Sequence, residues 1–326
     1  DLPGQILAIL TLGSLTYALI EANNYGWTSP VILGLFATAV VTGALFLWTE
    51  LRSTSPMLQL RFFQNRTFAA AATVAGFISF GMFGIFFFLT LFLQNVQGYS
   101  AFQMGLRSLP MTGAIIIVAP LAGQIAGRIG PRIPMTVGLT IVGVGMLLMQ
   151  RISPDMPYSA LWWNLMMLGV GMGLVMTPMT AAVMGAVPRE RAGMASATSN
   201  ASREVGGVFG IALLGAIVTH WFAKDLASSL AGLHLPAAVK AHVVTLAAHG
   251  GGTAARSLPA GVDAARLHSV IDSAFVSGMH VAFWVSAGVL LSGAVLSAVF
   301  VQSGATVQAT VPQLDAPACE MEAVAG

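Results

Sequence analysis

TFAAAATVAGFISFGMFGIFFFLTLFLQNVQGYSAFQMGL, residues 67–106, runs for forty residues without a charged side chain. A bilayer's hydrocarbon core, about 30 Å thick, is crossed by roughly 20 apolar residues in a helix. The polar cluster from Gln94 to Ser100 divides the stretch and leaves one span at 69–93. Read the same way, the chain offers seven more spans, at 2–20, 31–49, 108–127, 133–150, 160–186, 205–223 and 274–301. Backbone polar groups in lipid must be satisfied within the segment or in a closed barrel. A barrel needs short alternating strands, and these blocks are long and continuously apolar. The expected fold is an all-α integral membrane protein, a polytopic bundle of about eight transmembrane helices.

Composition agrees. Of 326 residues, 56% are hydrophobic and 8% are charged, against about 25% charged in soluble domains. Net charge is +2 with no basic patch, which argues against a nucleic-acid partner. Cys319 is the single cysteine, so intrachain disulfides and cysteine metal sites are excluded. The chain begins at Asp1 and enters an apolar block at once, which reads as a piece of a longer protein.

Arginines in short loops set orientation. Arg52, Arg61, Arg66, Arg128, Arg132, Arg189 and Arg191 fall on one side, Arg107 and Arg151 on the other. The richer side is expected in the cytoplasm, with both chain ends there, in a plasma (bacterial inner) membrane. Residues 224–270 then form an extracytoplasmic loop. Its His234, His242, His249 and His268 have no metal-ligand spacing. The tail, 303–326, is small, polar and acidic, and is expected to be disordered.

Several motifs are more specific. Small residues recur at four-residue spacing, as in Gly169 and Gly173 or Gly206 and Gly210; such faces let helices approach closely in lipid. The loop after the fourth span holds Gly123, Gly127, Arg128, Gly130, Pro131 and Arg132. Later come Thr177-Pro178-Met179, then Pro188-Arg189-Glu190-Arg191-Ala192-Gly193, and finally the run from Asn200 through Arg203-Glu204 to Gly210.

Together these motifs resemble the major facilitator superfamily, and within it the fourteen-span drug:proton antiporter family of the EmrB/QacA type. The likeness covers residues 1 to about 302. Gly127 stands where that family's loop carries an acidic residue. The resemblance implies two linking helices (1–50), a cytoplasmic loop (51–68) and a C-terminal six-helix bundle (69–302), the N-terminal six-helix half being absent. It implies proton-coupled efflux of small amphipathic compounds, driven by the proton gradient and without a bound cofactor or metal. The partners implied are the lipid bilayer, those substrates and the missing half.

Arg203 and Glu204 follow a small, uncharged stretch at the start of the seventh span. They read either as an interfacial pair or, with Asn200, as a conformational or proton switch. Their side chains diverge by about 100° on a helix. Gln94, Asn164, Met172, Met176, Thr177 and Pro178 are candidates for the substrate cavity, since thioethers and amides accommodate varied ligands. His280 reads as an ordinary hydrogen-bonded histidine. A membrane enzyme would need a His-Glu-x-x-His run, a Gly-x-Ser-x-Gly elbow or paired aspartates, and the spans carry none. Two alternatives remain: an exporter of one metabolite or siderophore on the same fold, or an inactive truncated fragment.

Overall fold

The computed structural model describes residues 2–52, 60–231 and 264–302, and among these every regular element is a helix. The opening stretch folds as its polar cluster dictates. Asn65 Oδ1 accepts from the N–H groups of Thr67 and Phe68 (3.0 and 3.4 Å) and starts α3 (Arg66–Leu91). A π-helical turn (Phe92–Val96) ends that helix. Ser100 and Gln103 then form a reciprocal capping box that opens the short α4 (Ala101–Arg107), followed directly by α5 (Leu109–Ile129). Before them α1 (Leu2–Tyr25) and α2 (Pro30–Arg52) make a hairpin. After them come α6 (Arg132–Leu148), α7 (Tyr158–Gly185), α8 (Ala192–Ala231) and α9 (Ala264–Phe300).

Among the described residues eight helical segments are long and apolar enough to cross a membrane, so the all-α polytopic fold read from the sequence stands. The last two helices run further than charge alone suggested. α8 has 40 residues and α9 has 37, and 40 residues of α-helix measure about 60 Å. Lys224 and Asp225 therefore lie inside α8, and His268 lies in α9. Local contacts carry the helix past them. The Lys224 ammonium sits 4.4 Å from the centre of the Trp221 ring, and Ser277 of α9 donates a hydrogen bond to Asp225 Oδ2. His234, His242, His249, most of the 224–270 segment and the 303–326 tail fall outside the described residues.

Packing follows the glycines. Gly76 faces Gly206, Phe80 faces Gly210 and Gly84 faces Leu214, a constant offset that makes α3 and α8 parallel. Gly169 against Ala114, Gly173 against Val118 and Gly123 against Thr177 make α5 and α7 parallel too. α6 runs antiparallel to α7 through Gly138 and Gly171, and antiparallel to α9 through Gly143 and Leu291. The core between them holds Phe68, Phe92, Met135, Leu139, Leu165, Met172, Phe222 and Phe283.

Polar ties fasten the helix ends. At the end bearing Arg66, Arg128 and Arg189, Asn65 Nδ2 donates to the Ala186 carbonyl (3.3 Å). At the opposite end Gln97 Nε2 donates to the Met156 carbonyl (2.7 Å) and the Tyr158 hydroxyl to the Arg107 carbonyl (2.9 Å). His280 Nε2 lies 2.9 Å from the Ile152 carbonyl, while Gln150 Nε2 donates to the His280 carbonyl at 2.7 Å. His280 is thus an ordinary hydrogen-bonded histidine.

The α1–α2 hairpin is held mainly by itself. Thr11 Oγ1 donates to Thr42 Oγ1 at 3.0 Å, and Gly43 packs on the Thr11 methyl. Only 17% and 11% of the residues in its two spans are buried, against 56% in α7. Its main contact with the bundle, among the described residues, is α1 against α8.

Candidate functional site

Small residues govern the α3–α8 seam, and the seam fixes the depth of the charges beside it. A Cβ added at Gly206 would meet the Gly76 carbonyl oxygen at 2.1 Å, and one at Gly210 would meet that of Phe80 at 2.2 Å. The two backbones touch directly, as small-xxx-small faces permit. Because the helices are parallel with Gly76 opposite Gly206, Arg66 is level with Ser196 and Arg203 with Thr73. Arg203 is seven residues further in than Arg66, or about 10 Å. It also lies well inside α8, which begins at Ala192, whereas the sequence suggested a span starting next to it.

Arg203 is half-buried and Glu204 exposed, as their 100° divergence requires. Arg203 Nη2 donates to Asn200 Oδ1 at 2.9 Å, one helical turn back. Asn200 lies angularly between the two charged residues, at i−3 and i−4, so the three occupy one arc of about 100°. That arc points away from Ser202, Val205 and Phe209, which turn toward an apolar groove. α8 thus has one polar face and one apolar face within the depth of a leaflet.

The glycine–arginine loop joins α5 to α6. Gly130 ends α5 with φ 85° and ψ 163°, a conformation reserved for glycine, and its N–H donates to the Ala126 carbonyl at 2.9 Å. Gly123 has a packing role, since its added Cβ would fall 2.9 Å from the Thr177 methyl. Gly127 has nothing within 4 Å of that position. Arg128 is exposed and Arg132 half-buried. We expect Gly130→Ala to destabilise the protein by about 1–3 kcal/mol, the usual cost of a non-glycine residue in that region. Gly127→Ala should leave stability unchanged or slightly improved, and thermal unfolding in detergent compares the two.

The six residues expected around a cavity are dispersed. Gln94 sits in the π turn at the C-terminal end of α3, and the other five lie along α7. Met172 (4% exposed) and Pro178 are in the core, Asn164 and Met176 are half-buried, and Thr177 is exposed beside Gly123. None of the six lines either of two apolar grooves found among the described residues. Thr177 and Gly123, singled out in the sequence for separate reasons, are in contact.

Sequence reading missed Asp225. Its carboxylate lies fifteen residues past Gly210, the last α8 glycine of the α3–α8 seam, on the face of α8 that meets Ser277. The signal was present in the helix-forming run Ala-Lys-Asp-Leu-Ala, but a charge pair was read as the end of a span. Among the described residues no group of three or more His, Cys, Asp or Glu side chains is placed to hold a metal ion.

Residues 4–211 match the family model of the Major Facilitator Superfamily. The multidrug resistance protein Stp of Mycobacterium tuberculosis is 40% identical over 244 residues, 75% of this chain and 45% of Stp. The tetracenomycin C resistance and export protein of Streptomyces glaucescens is 32% identical over 302 residues, 91% of this chain and 56% of the relative. The methylenomycin A resistance protein of Bacillus subtilis is 33% identical over 260 residues, 78% and 56% of the two chains. This chain therefore spans about half the length of the curated relatives it matches. Among solved structures, a bacterial homologue of the human lysosomal transporter Spinster, inward-facing and unoccupied, superposes with a TM-score of 0.54. It is 16% identical and aligns over 81% of this chain and 59% of its own, a likeness of fold.

Proposed function

From the premise that this chain belongs to the major facilitator superfamily, we propose that it is the C-terminal portion of a fourteen-span proton-coupled multidrug exporter. α1 and α2 are the linking pair, and α3 to α9 form the C-terminal bundle with α4 as the lead-in to α5. Both chain ends and the arginine-bearing loops lie in the cytoplasm, and the membrane is the plasma membrane. A second six-helix bundle supplies the other wall of the pathway, and transport proceeds by rocking the two bundles around a site near the midplane.

The observation that carries this reading is the polar arc of Asn200, Arg203 and Glu204. A charge near the centre of a helix in lipid costs about 2.5–3.5 kcal/mol and normally faces protein or a wet cavity. An arc of three polar groups about 6–12 Å deeper than Arg66 is best accounted for by a second bundle and an aqueous path beside it. The resistance and export functions in the names of its relatives support drug efflux; they belong to those proteins.

The test is accumulation of three chemically unrelated fluorescent dyes in cells expressing the complete protein. Lowered accumulation of all three, restored by a protonophore, is the expected result. Lowered accumulation of one compound alone would favour a dedicated exporter, and insensitivity to the protonophore would remove proton coupling.

A further inference from the structure

Two grooves of nearly equal size open on the side of α8 opposite the polar arc. One, of about 450 Å³, lies between α3 and α8, with Thr73, Gly76 and Phe209 on its walls and Val289 of α9 at its far end. The other, of about 420 Å³, lies between α1 and α8, between Leu12 and Met194. Phe63, Ser202 and Val205 line both and form the ridge where they meet. Phe63 is fixed there by the short helix Leu60–Gln64 and by an edge-on contact with Phe68, 5.4 Å between ring centres.

The hydroxyls in these walls are already engaged. Ser202 Oγ donates to the Thr198 carbonyl (3.0 Å), Thr198 Oγ1 to that of Met194 (2.9 Å) and Thr73 Oγ1 to that of Ala69 (2.9 Å). Thr11 Oγ1 contacts the Leu7 carbonyl (2.7 Å) and Thr42. The interior of both grooves thus offers hydrocarbon contact and no free donor. A ligand with polar atoms along its length would lose hydrogen bonds by entering. Small residues such as Gly76, Gly206 and Ala201 line the walls and leave the space open.

The charge lies at one end. Arg66 is exposed at the start of α3, with exposed Gln64 beside it. Thr73 is seven residues on, two helical turns, and so on the same face about 10 Å deeper. The groove then continues inward along α3 to Phe80, about another 10 Å. Along α8 the slot against α1 runs from Met194 to Val205 and the slot against α3 from Ser202 to Leu213, so the second reaches deeper than the first. A cation level with the outer part of the first slot and above the second, each slot close to the volume of one acyl chain, matches a molecule with one anionic head and two hydrocarbon tails that reach different depths.

We propose that this paired groove holds an anionic phospholipid, one acyl chain on each side of the Phe63 ridge and the phosphate on Arg66. The assignment to the cytoplasmic leaflet rests on the orientation proposed above; the lipid site itself does not. Chain burial gives little selectivity, because the tails leave one hydrocarbon environment for another. Selectivity comes from the head, and one basic residue at an anionic surface supplies about a fivefold preference.

Native mass spectrometry of the full chain, released from detergent micelles titrated with phosphatidylglycerol or phosphatidylcholine, tests this. The expected result is one retained lipid, with phosphatidylglycerol favoured about fivefold. Arg66→Gln should keep the retained lipid and erase the preference. Thr73→Trp, at an exposed position whose hydroxyl bonds only its own helix, should fill one slot and abolish retention without loss of folding. Equal retention of both lipids by the unmodified chain, or undiminished retention by Thr73→Trp, would overturn the proposal. Displacement of the lipid by a transported dye would overturn it too, by making the groove a drug site. Micelles have no sidedness, so orientation is read separately, by labelling Gly127→Cys from the cell exterior. Labelling there would reverse the orientation and leave the lipid result standing.

Discussion

Gly206→Leu is expected to separate α3 from α8 and to be among the most damaging single substitutions in this chain. The new side chain would begin where the Gly76 carbonyl already stands, with only 2.1 Å for its first carbon. The obstacle is backbone, so a rotamer change in a neighbour cannot relieve it. Overpacking of a tight interior costs about 1–3 kcal/mol and sometimes more. A backbone–backbone seam belongs at the upper end, and Gly210→Leu should behave alike because its Cβ would fall 2.2 Å from the Phe80 carbonyl oxygen. The readout is the thermal unfolding midpoint in detergent, with Gly288→Ala as control. Gly288 has nothing within 4 Å, and alanine is the better helix former by about 0.5–1 kcal/mol. A Gly206→Leu protein as stable as this control would mean that the seam is not packed as described.

Under the proposed function, Arg203→Ala in the complete protein should produce the opposite pattern, a protein at least as stable that no longer exports. Removing a guanidinium from membrane depth relieves part of the roughly 2.5–3.5 kcal/mol that such a charge costs on insertion. Its one described hydrogen bond, to Asn200, is local to α8 and holds no second helix. We therefore expect normal expression, an unchanged or higher unfolding midpoint, and dye export reduced to background. Arg203→Lys should restore little, since an ammonium lacks the planar fork that reaches Asn200 while keeping donors free. Export at the unmodified rate by Arg203→Ala would sink the role proposed for the polar arc. A large fall in stability would instead mark Arg203 as a packing residue.

The two experiments separate what the sequence showed from what it hid. Helix number and type were legible in residues 67–106 and their like, because lipid tolerates few alternatives to a helix. The breaks were legible too: the Gln94–Ser100 cluster became a π turn and a capping box, and Gly130 became the left-handed stop after α5. The ends of α8 and α9 were not. Charge marks where a chain meets water, and a helix held by Asp225–Ser277 and by Leu226 and Leu267 in the core continues past that point. The site was less legible than the fold. Arg203 and Glu204 could be singled out, but their depth came only from the register of α8 on α3. Five of the six cavity candidates shared a helix, and nothing in a linear sequence says which side of α7 faces α5. Met172 faced the core, Thr177 faced Gly123, and the apolar grooves formed elsewhere.

The loosely attached hairpin also has a bearing on how the molecule is made. α1 and α2 pair through Thr11, Thr42 and Gly43 and lend few side chains to the rest. Such a pair can leave the insertion machinery and settle in the bilayer as a finished unit before α3 is synthesised, without waiting for any later helix to shelter it.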